Sequence, residues 1–411
     1  MELEFLTQVG RVNCGAPGNQ SLLTAKTAEL HAALETVLCS ARAGSDAESL
    51  AAACRRAREW TVTVDEHIAP SPLPVAQRVV EWHLQEAGGA VCVCGETAEA
   101  HGVPPNGAAL SQTFAQRALR LLQGKDSKET VCMKAEFRSP APPHELSISS
   151  AADAAAVACV MRALRTMGVA APPATATGFS GSAVHIHVNV CSPIARGDPL
   201  SAREVLNVWL AWTVFDSVLA AAFARPWMWR EPSCAPLYAS GAEMSAAAAA
   251  AWSLPSSSPE APGPAYDAFD VPAFLAGVHE ALRRPEYAAL PDELSRRRWL
   301  FDPDDSPASG LTRYCSLNLH RVTSYGTLEF RRFHGTSDAT TLLQWASFCV
   351  CFVDAARGFD ASAFLDASLP EALKALRAAQ ETATASELLE LLGGGVPATV
   401  ADCLLQLGTT A

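Results

Sequence analysis

Segments in which apolar and polar residues alternate are spread along this 411-residue chain, and helical segments lie between them. A period of two is typical of half-buried strands, and it predicts strands at residues 1–5, 60–65, 131–138 and 181–190. Apolar residues spaced three or four apart predict helices, among them those at 150–167, 201–224 and 338–356. Because alternating strands have one polar face, the pattern predicts an α+β fold with a mainly antiparallel sheet.

A hairpin is predicted from two further strands, at 313–322 and 326–333. Side chains alternate along a strand, so Glu329 and Arg331 share one face and Arg332 lies on the other. A carboxylate beside a guanidinium suits a site that holds a metal ion with one group and an anionic substrate oxygen with the other. An ion pair on a solvated face is the alternative interpretation.

The strand at 181–190 places His185, His187 and Asn189 on one face, with valine and isoleucine side chains on the other. Two imidazoles and an amide that project together form a polar floor, and neutral imidazole is a common metal ligand. Two structural histidines in a half-exposed strand are the alternative.

The first strand carries Glu2 and Glu4 on a shared face. Neighbouring carboxylates repel each other unless a divalent cation or a proton lies between them. A solvated terminus is the alternative, although Leu3, Phe5 and Leu6 favour a strand that is inserted into a sheet.

In this order, the segments resemble the glutamine synthetase superfamily of carboxylate–amine ligases, and more closely its amidoligase family. Members of that family carry an acidic first strand, a W-x-V-x-x-D segment, an E-x-x-S-P strand, an H-x-H-V strand, an L-N strand and an E-F-R strand that ends in G-T. The corresponding segments of this chain are Glu2 with Glu4, Trp60–Asp65, Glu136–Pro140, His185–Val188, Tyr314–Asn318 and Glu329–Thr336. Each motif is short, but the ordered set spans most of the chain.

The resemblance implies a curved, mainly antiparallel sheet with helices packed on one side, similar to the catalytic domain of glutamine synthetase. It implies an enzyme in which ATP phosphorylates a carboxylate and an amine then attacks the acyl phosphate. The implied cofactors are ATP and Mg²⁺ or Mn²⁺, and the implied partners are small-molecule or peptide carboxylates and amines. A metal-dependent hydrolase that uses His185 and His187, and an inactive binding protein on the same scaffold, are the alternatives.

Motif position assigns a role to each candidate residue. The implied magnesium ligands are Glu2, Glu4, Glu136, His185 and Glu329. Arg331 would hold a phosphate or a substrate carboxylate, and His187 and Asn189 would line the same catalytic floor. Asp65 and Ser139 are second choices, as cofactor-binding residues.

The chain departs from the family pattern in three ways. It begins almost on the acidic strand, without the glycine and the lead-in that such proteins usually have. The gap before Glu136 is long, which predicts an insertion at 69–128. Within that gap Asp126 is a rival for the role of Asp65, although it lacks the preceding tryptophan and alternating strand.

Two units are predicted along the chain. Residues 1–360 would form the amidoligase-like catalytic domain, and residues 361–411 would form a C-terminal helical extension with a break at Gly393–Gly395. A second insertion is predicted at 245–268, where Ala, Ser and Pro dominate the sequence.

Composition and charge limit which partners and which cellular compartment the sequence predicts. The net charge of −12 argues against a nucleic-acid partner, because phosphate binding needs a basic surface. No stretch of about 18 uninterrupted apolar residues occurs, and no basic segment precedes an apolar core at the start, so neither a membrane span nor a secretory signal is predicted. The 13 scattered cysteines fit reduced thiols in a cytoplasmic protein. The basic run at 296–298 is predicted to be a solvated face.

Overall fold

The computed structural model describes a defined part of the chain. The described residues are 2–9, 28–37, 47–64, 93–94, 130–140, 146–147, 149–166, 183–191, 199–223, 270–302, 315–334, 336, 338–398, 400–402 and 404. The predicted insertion at 245–268 lies outside them, as does that at 69–128 apart from Val93–Cys94.

Seven strands within the described residues form one antiparallel sheet. They are β1 (Glu2–Val9), β2 (Thr61–Val64), β3 (Val93–Cys94), β4 (Thr130–Arg138), β5 (Ala183–Asn189), β6 (Leu317–Asn318) and β7 (Thr327–His334). The strand order is β2-β4-β1-β5-β7-β6, and β3 pairs with β4 beside that path. The α+β class and the antiparallel sheet that the alternating segments predict are confirmed.

Helices make up most of the C-terminal half of the described chain. They are α1 (28–37), α2 (Ala47–Ala57), α3 (Ala151–Thr166), α4 (Ala202–Phe223), α5 (Val271–Arg283), α6 (Pro285–Ala288), α7 (Glu293–Phe301), α8 (Arg321–Ser324), α9 (Ala339–Ala356), α10 (Ser362–Leu365), α11 (Leu369–Thr382) and α12 (Ala385–Leu391). The three longest helices agree with the predicted segments to within one residue at each end.

The main core lies between the apolar face of the sheet and helices α4 and α9. Phe330 of β7 meets Trp212 of α4 edge to face, with ring centroids 4.9 Å apart. Phe333, three residues further along β7, stacks on Trp345 of α9 at 4.8 Å. Trp212 also contacts Phe352 of α9 at 5.2 Å, which joins the two helices over the strand. Offset and edge-to-face aromatic pairs of this kind stabilise a core beyond their buried area.

Helices α4 and α9 are long and apolar enough to cross a membrane, judged by length and composition alone. Polar residues interrupt both runs, which is why the sequence pattern predicts no span there. In α4, 78% of the apolar window is buried inside the protein, compared with 44% in α9. Packing within the protein therefore accounts for most of the apolar surface of α4.

The C-terminal helices pack against α4. Gln380 of α11 donates a hydrogen bond from Nε2 to the carbonyl oxygen of Thr213 at 2.8 Å. Gly393 and Gly394 follow α12 with φ of 59° and 76°, a left-handed conformation that glycine adopts without strain. The predicted helical content of this region and its glycine break are confirmed for the described residues.

The basic run in α7 is only partly solvated, so the prediction for it is wrong at its centre. Arg297 is buried, and its Nη1 donates to the carbonyl oxygen of Leu200 at 2.6 Å. Successive side chains on a helix are about 100° apart. The middle of three consecutive arginines can therefore face the core while its neighbours face solvent.

The connection between β6 and β7 is longer than a simple hairpin turn. β6 is only two residues long, and the one-turn helix α8 occupies the place of the predicted strand end and turn. Gly326 follows with φ of 70°, and a Cβ added there would lie 2.9 Å from the Cβ of Cys191. Only glycine meets both the backbone conformation and this close approach.

A buried polar network anchors β7 to α4. Arg332 and Asp216 form an ion pair in which both side chains are almost fully buried. Ser316 Oγ donates to Asp216 Oδ1 at 2.9 Å, and Trp212 Nε1 donates to Ser316 Oγ at 2.9 Å. Arg332 therefore lies on the core face of β7, as the alternation of side chains predicts.

Arg332→Met should lower the free energy of unfolding by about 3–5 kcal/mol, because it leaves the Asp216 carboxylate buried without its counter-charge. Urea unfolding titrations measure the change. Arg203→Met is the matched control, because it removes the exposed ion pair to Asp366, and its cost should be about 1 kcal/mol or less. Equal costs for the two variants would contradict a buried, anchoring role for Arg332.

Candidate functional site

Three neighbouring strands each contribute one residue to a polar row on the face opposite the aromatic core. His187 of β5 lies directly across from Glu329 of β7, and Asn318 of β6 lies across from Glu329 on the other side. Directly opposed residues of antiparallel strands share a face and bring their side chains close together. Strand pairing therefore gathers the H-x-H, E-F-R and L-N motifs at one place.

Glu329 is the centre of this cluster, and its side chain is 0% exposed. Its Oε2 accepts a hydrogen bond from Asn318 Nδ2 at 2.5 Å, and its Oε1 accepts one from Arg331 Nη1 at 2.5 Å. A carboxylate removed from water is costly unless charged and hydrogen-bonding partners replace the water. Asn318 and Arg331 provide that replacement.

Three more basic side chains converge on the same carboxylate. His185 Nδ1 lies 3.4 Å from Oε1, His187 Nε2 lies 3.9 Å from Oε1, and Arg321 Nε lies 3.5 Å from Oε2. The one carboxylate of Glu329 thus faces the two guanidinium groups of Arg321 and Arg331. Among the described side chains at Glu329, guanidinium groups therefore outnumber carboxylates, which suits a site for an anion.

The remaining residues of the predicted floor have defined partners. His187 Nδ1 lies 3.1 Å from the hydroxyl oxygen of Thr327, which orients the ring. Asn189 Oδ1 accepts a hydrogen bond from the backbone N–H of Cys191 at 3.1 Å. Asn189 therefore stabilises the turn at the end of β5. The His187–Glu329 pair lies two residues before the Asn189–Thr327 pair along β5.

Three predicted metal ligands lie on β1 and β4, where the structure describes the strand register. Glu4 is directly opposite Glu136, and Glu2 is opposite both Arg138 of β4 and His185 of β5. Glu2 and Arg138 therefore continue the line of His185 across two more strands, and the Glu4–Glu136 pair lies two residues further along β1 and β4 on the same face. Like charges directly opposite each other destabilise a sheet, so the Glu4–Glu136 pair is the feature that most needs a compensating charge.

The two predicted cofactor-binding residues, Ser139 and Asp65, differ in whether the structure describes them. Ser139 directly follows the last residue of β4, and Asp65 lies outside the described residues, as does its rival Asp126. Among the side chains that the structure describes, no group of three or more His, Cys, Asp and Glu residues is arranged to hold a metal ion.

Two members of the cluster received no role from the sequence. Asn318 belongs to the L-N motif, so the sequence identifies its strand. The sequence does not predict its contact with Glu329. Arg321 reaches Glu329 because α8 turns the chain back toward the sheet, whereas the sequence predicts an extended strand there. Sequence spacing gives no sign of that local helix.

Comparison with protein-family models, with curated proteins and with solved structures finds no match to this chain.

Arg331 and Arg332 should differ in their effect on anion binding, because Arg331 contacts Glu329 and Arg332 contacts Asp216 on the other face. Tripolyphosphate should raise the melting temperature of the wild-type protein, since a ligand that binds only the folded state stabilises it. Arg331→Lys should lose most of this rise, because lysine cannot reproduce a planar two-pronged donor. Differential scanning fluorimetry measures both variants.

Arg332→Lys is the matched control for this experiment. It should lower the melting temperature without ligand but keep the rise that tripolyphosphate causes. Sodium chloride at the same ionic strength separates specific binding from charge screening. If the rise survives in Arg331→Lys and disappears in Arg332→Lys, the anion depends on the core face of β7, which contradicts the site at Arg331.

Proposed function

We propose that this chain is an ATP-dependent carboxylate–amine ligase that forms an amide bond through an acyl phosphate. The observation that carries the proposal is the opposed pair Glu4 and Glu136, which lies on the same sheet face as Glu2, the residue opposite His185. The proposed fold is the curved sheet of glutamine synthetase-like catalytic domains. Its support is that α4 and α9 pack on the sheet face opposite the polar row.

The chemistry of the acidic positions fits a hard divalent cation. Mg²⁺ and Mn²⁺ prefer carboxylate oxygens, and Glu2, Glu4 and Glu136 bring three carboxylates to adjacent strands. A bound cation would neutralise the phosphate oxygens of ATP during phosphoryl transfer. Of the proposed ligands His185 is the least typical, and Glu329 fits least well because its carboxylate already accepts hydrogen bonds from Arg331 and Asn318.

The basic end of the row fits the anionic groups of the substrates. Arg331 would hold the carboxylate that is to be activated, or a phosphate, and Glu329 fixes the direction of its guanidinium group. Arg321 adds a second positive charge on the other side of the same carboxylate. His187 and Asn189 would line the floor, and Asp65 and Ser139 are the proposed nucleotide contacts.

The charges of the proposed site thus differ from one end to the other. On β1 and β4 the positions of Glu2, Glu4 and Glu136 outnumber Arg138, which lies opposite Glu2, and would attract a cation. Guanidinium groups on β7 and α8 would attract an anion. A ligase needs both, because it must bring two anions, a nucleotide and a carboxylate, within bonding distance. A cytoplasmic location, where ATP is abundant, is part of the proposal.

A metal-dependent hydrolase is the second candidate, because two imidazoles and one carboxylate converge at His185, His187 and Glu329. It is less well supported for two reasons. Arg331 occupies Oε1 of the carboxylate that would bind the metal. The described side chains also include no metal-binding group of three or more residues.

ATP should bind to the wild-type protein only in the presence of Mg²⁺ or Mn²⁺, and Glu136→Gln should weaken this binding. Glutamine keeps the shape of the side chain but removes the charge that opposes Glu4. Isothermal titration calorimetry with metal and with a chelator measures the difference. Glu381→Gln, an exposed position on α11, is the matched control and should bind like the wild type.

Turnover provides the second half of this test. With a panel of amino-acid and peptide carboxylates, hydroxylamine should trap the acyl phosphate as a hydroxamate, and ADP should form only when an acid is present. ATP binding that is equal with metal and with chelator would overturn the metal site. Activity with zinc and water alone, without ATP, would favour the hydrolase.

A further inference from the structure

A tyrosine at the edge of the candidate site is unusually exposed. Among the described residues, the large hydrophobic side chains on the surface are Leu294 and Tyr325, and Tyr325 is 44% exposed. Exposed apolar residues occur singly on most proteins and need no explanation by themselves. The surroundings of Tyr325 distinguish it from Leu294.

Tyr325 is held in a fixed position by the turn between α8 and β7. Its backbone N–H donates to the carbonyl oxygen of Arg321 at 2.9 Å, which closes the helical turn. The next residue, Gly326, packs closely against Cys191, and its carbonyl oxygen accepts from the N–H of Val190 at 2.9 Å. The aromatic ring is therefore presented from a rigid support.

The ring contacts two side chains of the Glu329 cluster. The guanidinium carbon of Arg321 lies over the ring, 4.9 Å from its centroid, and the ring of His187 meets it edge to face at 6.4 Å. Arg321 and His187 are the groups whose nitrogens lie 3.5 Å and 3.9 Å from the Glu329 carboxylate oxygens. The exposed ring thus adjoins the guanidinium group of Arg321 at the edge of the cluster.

We propose that Tyr325 is the stacking platform for the base of the nucleotide, an inference that rests on the proposed function. A ligand matched to this place has a flat aromatic part for the exposed ring and an anionic part for Arg321 and Arg331. Stacking on tyrosine tolerates any base because every base has a π-face. The cation over the ring fixes the ring's orientation before the ligand arrives.

Tyr325→Ala should weaken binding of ATP about tenfold and leave binding of tripolyphosphate within about twofold of the wild type. Tripolyphosphate carries the anionic part without the base, so the ratio of the two dissociation constants isolates the contribution of stacking. Tyr325→Phe keeps the ring and should bind both ligands like the wild type. Leu294→Ala removes the other exposed hydrophobic side chain and is the matched control.

The outcomes separate this inference from the proposed function. If the wild type binds ATP with Mg²⁺ but Tyr325→Ala binds it equally well, the platform is refuted and the ligase proposal is unaffected. If Tyr325→Ala weakens ATP and tripolyphosphate to the same extent, Tyr325 acts through Arg321 and not on a base, which also refutes the platform. If the wild type binds no ATP, both proposals fail together.

Discussion

Strand β7 buries charge on both of its faces, and the rest of the candidate site depends on how each charge is neutralised. On one face Glu329 lies between Arg331 and Asn318, and on the other Arg332 pairs with Asp216 of α4. Either group alone would cost several kcal/mol in a low-dielectric interior. Paired, they fix the strand against the core helix and direct Arg331 to the polar face.

The two networks are connected through the backbone. Ser316 donates its hydroxyl to Asp216, and its carbonyl oxygen accepts from the backbone N–H of Arg331 at 2.9 Å. The same residue therefore belongs to the buried network on one face and to the backbone of the site on the other. A satisfied network of this kind holds its members in one geometry, which the proposed site for two anionic substrates would require.

The alternation of side chains was sufficient to predict the faces of β5 and of β7 as far as Arg332, because a period of two leaves only two choices. Beyond Arg332 an irregularity in the pairing of β5 with β7 returns Phe333 to the face of Phe330, which alternation alone does not predict. Alternation correctly separates Arg331 from Arg332 and places His185 and His187 together. The partners of these residues were not predictable in the same way. Asp216 lies 116 residues from Arg332 in sequence, and nothing in the apolar pattern of α4 indicates which strand its carboxylate meets.

The convergence of Arg321 on Glu329 could not be predicted for a different reason. Its approach depends on one turn of helix between two strands, and a four-residue helix has too few residues to show a period. The Glu4–Glu136 pair could be predicted only in part. Both strands were predicted, but the register that opposes the two glutamates depends on pairing across more than 130 residues.

The most direct measurement is anomalous X-ray scattering from crystals grown with Mn²⁺ and a non-hydrolysable ATP analogue. The account predicts a manganese peak between β1 and β4, within coordination distance of Glu4 and Glu136 and in contact with the phosphates. A peak bound to His185 and His187 without the nucleotide would contradict it and favour metal-dependent hydrolysis. Ordered nucleotide without any metal at the acidic positions would contradict the central role of the carboxylate pair.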